Sequence, residues 1–99
     1  MQFVCWRNNP MRDPEKVLAI ALAEVGYLEK ETNAQLDEAQ ANAGDENYTK
    51  YARDLDSMLF YNGRKNGHSW CDVFVDWCFV MAYGEENARK MTSSLCSFC

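Results

Sequence analysis

The stretch Trp70-Cys71-Asp72-Val73-Phe74-Val75-Asp76-Trp77-Cys78-Phe79-Val80-Met81-Ala82-Tyr83, closed by Gly84, is the most apolar run of the chain and decides its fold. Trp70, Phe74, Trp77, Val80 and Met81 fall at helical spacing, so a core-facing helix is predicted over 70–83. Ser69 stands three residues before Asp72, a capping-box spacing with Asp in place of Glu, and Gly84 supplies the stop. With Ser69 as cap, Cys71 is the second helical residue, among unpaired backbone N–H groups at the positive end of the dipole. That position favours thiolate over thiol, and the same N–H groups can hold an oxyanion formed when sulfur attacks an amide carbonyl. The plain alternative is a buried cysteine acting as a small hydrophobe. Cys78 is read that way, since it lies about 10.5 Å further along the helix axis, too far to bridge to Cys71.

Working outward, Tyr61 to Gly67 holds two Asn-Gly pairs, where the chain must reverse. Tyr48, Tyr51, Ala52, Leu55, Met58 and Leu59 restore a helical period, and a helix over 48–59 is predicted with Asn47 as its cap. From 27 to 46 the chain is polar around a lone Leu36, with no sustained period, and reads as a long surface loop with a helical turn. Asp13-Pro14-Glu15 is a strong helix start, and Val17, Leu18, Ala21, Leu22 and Val25 follow, with Gly26 closing a helix over 14–25. Residues 85–95 form a weaker, charged helix. The fold class expected is mostly α, with three to four helices.

Ninety-nine residues allow one domain with one modest core. A net charge of −5, with ten Lys and Arg scattered among fifteen acids, leaves no basic surface for nucleic acid. No apolar run is long enough to cross a bilayer, and Phe3-Val4-Cys5-Trp6 is too short for the core of a signal peptide. Five cysteines, Cys5, Cys71, Cys78, Cys96 and Cys99, without a spaced framework imply a reduced cytoplasm at synthesis.

Trp70 to Cys78 resembles the active-site helix of CHAP domains, the cysteine- and histidine-dependent amidohydrolases and peptidases of phage endolysins and bacterial wall hydrolases. The resemblance extends through Ala23-Glu24-Val25-Gly26-Tyr27-Leu28-Glu29-Lys30 and Asn47-Tyr48-Thr49-Lys50-Tyr51, in the same order and with similar spacing. It implies Cys71 as catalytic nucleophile, Trp70 as a substrate-groove residue, and peptidoglycan peptide or amide as the substrate, with no cofactor. Activity at the bacterial cell wall is implied with it. The chain corresponds to the helical first half of an α+β, papain-like domain, with an N-terminal extension over 1–12, the partial domain over 13–90 and a divergent tail over 91–99. That family's sheet, with its catalytic His, comes later than the residues matched. His68, the only histidine, reads as a solvated turn residue, so a truncated chain inactive on its own is expected, self-associating through the exposed helix three.

Two rival readings stand beside this one: a non-catalytic helical interaction module, and a metal or redox protein using the Cys96–Cys99 pair. Asp45, Glu46 and Asn47 could offer oxygen ligands to calcium, but their spacing is not that of an EF-hand, and a solvated acidic turn is the simpler reading.

Overall fold

The computed structural model describes residues 14–96, with side-chain surroundings from 15 to 91. The chain is mostly α. Among the described residues there are four helices: α1 (Pro14–Ala23), α2 (Lys50–Ser57), α3 (Cys71–Tyr83) and α4 (Glu85–Cys96). Residues Asp13, Cys5 and Cys99 lie outside the described residues, as do the 1–12 extension and the end of the 91–99 tail. α4 itself runs past residue 90. None of these helices is long and apolar enough to cross a membrane.

α3 is the central element and packs against each of the other three. Its Val73, Trp77, Cys78 and Val80 are buried with Tyr51, Ala52 and Leu55 of α2 and Ala88 of α4. Tyr51, 1% exposed, is the aromatic centre. Its ring centroid lies 4.8 Å from those of Tyr27, Phe74 and Trp77 and 5.7 Å from that of Trp70. Such offset and edge-on pairs each add to area burial alone.

The helix ends differ from expectation for identifiable reasons. α2 starts at Lys50 because Thr49 is its cap, with the hydroxyl accepting from Ala52 N–H at 3.2 Å. Asn47, expected to cap it, is left-handed itself (φ 68), and its carbonyl accepts from Gly67 N–H. α3 starts at Cys71 with Trp70 as N-cap and no side-chain capping bond, so Ser69 does not cap and Cys71 is the first helical residue. Only the second Asn-Gly pair places its glycine at positive φ (Gly67, +91°). Gly84, at φ 91, ends α3 by donating to Val80 O and begins α4 by accepting from Ala88 N–H.

At the end of α2, Leu59 N–H bonds Asp56 O and Phe60 N–H bonds Leu55 O, the paired bonds of a Schellman motif. The left-handed residue of that motif is Leu59 (φ 54) instead of the usual glycine. Arg89 of α4 holds this turn, donating to the carbonyls of Met58, Leu59 and Phe60 at 3.0–3.1 Å.

The segment from 24 to 49 contains turns and bends but no helix. It is ordered by Lys30, which forms isolated antiparallel bridges with both Ala43 and Tyr48. The Lys30 side chain is fully buried; its ammonium donates to Ala39 O and sits 4.6 Å from the Tyr27 ring centroid. Burial lowers its pKa, since the charged form loses water there. Leu36 is buried, and Tyr27 Oη donates to its carbonyl at 2.6 Å. The loop is thus a folded layer over α2.

Candidate functional site

Cys71 is exposed and stands at the start of the most buried helix. The first helical bond runs from Phe74 N–H to Trp70 O at 2.8 Å, so the N–H groups of Cys71, Asp72 and Val73 precede the helical ladder. Asp72 adds a carboxylate in the same turn. The predicted nucleophile is therefore exposed at a helix start, one residue nearer the end than the sequence implied. Cys78 is 2% exposed, and burial pushes its thiol up to about 11, helped by the charge of Glu24.

Trp70 fixes the approach to this helix. Its indole N–H donates to Glu29 Oε1 at 3.1 Å, and its ring stacks on Tyr51. Glu29 Oε2 accepts from Asn47 N–H at 3.0 Å, so one carboxylate joins the loop at residue 29, the segment before α2 and the start of α3. Behind Trp70, Tyr51 Oη donates to Glu24 Oε1 at 3.0 Å, and the same oxygen pairs with Lys50 Nζ at 2.8 Å. Burial first, then this bond to Glu24, raises the Tyr51 pKa, so it stays a neutral donor. Asn66, in the turn before α3, accepts from Thr49 N–H and donates to Asn33, while Asp56 accepts from the N–H groups of Lys65 and Asn66. The turn that delivers Cys71 is thereby pinned to α2 and to the loop.

His68 is exposed in that turn, its backbone N–H bonded to Lys65 O. Asp45 and Glu46 are exposed on the loop. Among the described residues no group of three or more His, Cys, Asp or Glu could hold a metal ion. The Cys96–Cys99 pair falls outside the residues whose side chains are described.

Sequence reading missed Glu29, Lys30, Asn66 and Arg89. Each acts on partners remote in the chain, and the one available signal was the presence of Glu29 and Lys30 in a segment already singled out. Compared with protein-family models, with curated proteins and with solved structures, the chain finds no match in any of the three.

Proposed function

We propose that the chain carries the nucleophile of a CHAP-type, cysteine-dependent peptidoglycan hydrolase, an N-acetylmuramoyl-L-alanine amidase or an endopeptidase. The observation that supports it is an exposed thiol at the first position of the central helix, beside a tryptophan locked by Glu29. In this reading Cys71 Sγ attacks the amide carbonyl carbon, and the tetrahedral oxyanion is held by N–H groups of the first turn. Collapse breaks the C–N bond, the amine leaves with a proton, and water hydrolyses the thioester. Trp70 flanks the acyl group. The base is a histidine other than His68, so these 99 residues alone turn over slowly.

The test is release of new amino termini from purified cell walls, with and without added imidazole as a replacement base. Slow release that rises with imidazole and disappears in Cys71→Ala supports the proposal. Release unchanged in Cys71→Ala, or strong clearing lost in His68→Ala, contradicts it.

A second reading, the non-catalytic interaction module, is favoured by one observation: an open groove of about 790 Å³ is lined by neither Cys71 nor Trp70. Retained binding to cell walls by Cys71→Ala, with no amino group released by either protein, selects it.

A further inference from the structure

The groove runs between the loop at Asn33–Glu38 and the α2 face bearing Arg53 and Asp56, with Leu59 and Arg64 also lining it. Its volume lies within the range of small-ligand sites. Most of its charged groups are already committed. Arg53 holds Asp37 through two bonds of 2.7 and 3.0 Å, and the Asp56 carboxylate takes two backbone N–H groups. Arg64 is different: it is exposed and has no partner among the described residues. A guanidinium presented this way matches the two oxygens of a carboxylate.

Leu59 supplies an independent observation. It is 79% exposed at a left-handed position where glycine is the ordinary choice, and Arg89 fixes the carbonyls around it. The fold thus holds an apolar side chain out at the same groove, in a backbone conformation that β-carbon-bearing residues avoid. Gln35 adds a side-chain amide with the donor and acceptor pattern of a peptide backbone, and Asn33, whose Oδ1 already accepts from Asn66, adds its Nδ2 as a donor. Among the described residues no aromatic side chain lines the groove, so none of them offers a stacking surface for a sugar face or a base.

We propose that this groove is a second, non-catalytic site that binds the carboxylate end of a short peptide. The carboxylate pairs with Arg64, a small apolar side chain rests on Leu59, and the peptide amides face Asn33 and Gln35. This goes beyond the chemistry at Cys71 and does not depend on it.

The test is titration of the isotopically labelled chain with acetyl-alanyl-alanine and with its C-terminal amide, followed by amide resonances. Shifts concentrated at 33–38, 59 and 64 are expected with the free acid. Affinity should fall about tenfold both with the amide and in Arg64→Gln, the scale of one charge-assisted contact, and should be unchanged in Cys71→Ser. Lack of response at tens of millimolar, an equal response to acid and amide, or binding indifferent to Arg64→Gln overturns the proposal. Equal shifts produced by N-acetylglucosamine overturn it too, since they assign the groove to glycan.

Discussion

Trp70 and Glu29 are joined by a hydrogen bond of 3.1 Å across 41 positions of sequence, and that bond sets where the central helix begins. With no side-chain cap on α3, the indole anchored on Glu29 takes over the positioning that Ser69 does not provide. Replacing Glu29 by alanine strands both the Trp70 indole N–H and the Asn47 N–H. A loss of about 1–3 kcal/mol is expected, a fall in melting temperature of several degrees for a chain this size. Glu29→Gln keeps an acceptor for one donor and should lose about half as much. Urea melts of both variants check this, and equal stability of Glu29→Ala and the parent contradicts the positioning role.

The turn after α2 gives a change of opposite sign. Leucine in the left-handed region costs roughly 1 kcal/mol that glycine does not. Leu59→Gly should therefore be neutral to stabilising, by up to about 1 kcal/mol, whereas Arg89→Met should destabilise by about 1–3 kcal/mol by stripping donors from three carbonyls. Paired denaturant midpoints measure both. A destabilised Leu59→Gly means that its side chain packs more tightly than its exposure implies.

Asp76 sets a pH dependence. It is 7% exposed on α3, accepts from Tyr61 Oη, and burial raises its pKa; the charge of Asp72 adds to the rise, and the Tyr61 bond opposes it. The folded chain then keeps a proton that the unfolded chain has released, so stability falls as pH rises above the usual carboxylate range of about 4. Asp37 acts the other way: the Arg53 guanidinium holds its carboxyl below the usual range, and that contribution disappears as pH falls below it. Asp76→Asn should raise stability at neutral pH and flatten the decline above pH 4 while leaving the acid limb intact. Urea midpoints between pH 3 and 8 decide it, and a less stable Asp76→Asn at pH 7 means that the ionised pair with Tyr61 outweighs burial.

Apolar surface is open on a different helix from the one expected. α1, α2 and α4 cover α3, leaving Val75 and Met81 as its exposed large apolar residues, so helix three is not the bare face. Leu18, Leu22 and Val25 are instead 57%, 61% and 79% exposed along one side of the first helix and its end. Contiguous apolar surface of this kind drives association. Sedimentation should show concentration-dependent self-association that Leu22→Glu weakens at least several-fold. A strictly monomeric parent chain contradicts it.

The fold was legible where side chains repeat locally. The apolar stripe predicted 70–83 and the helix is Cys71–Tyr83; the period from Val17 predicted 14–25 and the helix is Pro14–Ala23. The second helix was read two residues long at each end, because Tyr48 and Leu59 fit the period while Thr49 caps and Leu59 turns left-handed. The loop's order was hidden, since Lys30, Asn66 and Glu29 bond to groups 9 to 41 positions away and leave no periodic trace. The place of Cys71 at a helix start was readable from spacing, whereas its exposure and its anchor, Glu29, came only with the structure.

The proposed chemistry makes Cys71 the acyl acceptor at the start of α3. The direct measurement is peptide-level mass spectrometry after exposure of the folded chain at neutral pH to an N-acetyl-alanyl thioester. The expected result is an acyl group on Cys71 first and almost none on Cys78, whose thiol is buried and pushed up to about 11. Acylation of Cys78 ahead of Cys71, or a Cys71 that iodoacetamide alkylates but the thioester never acylates, contradicts it.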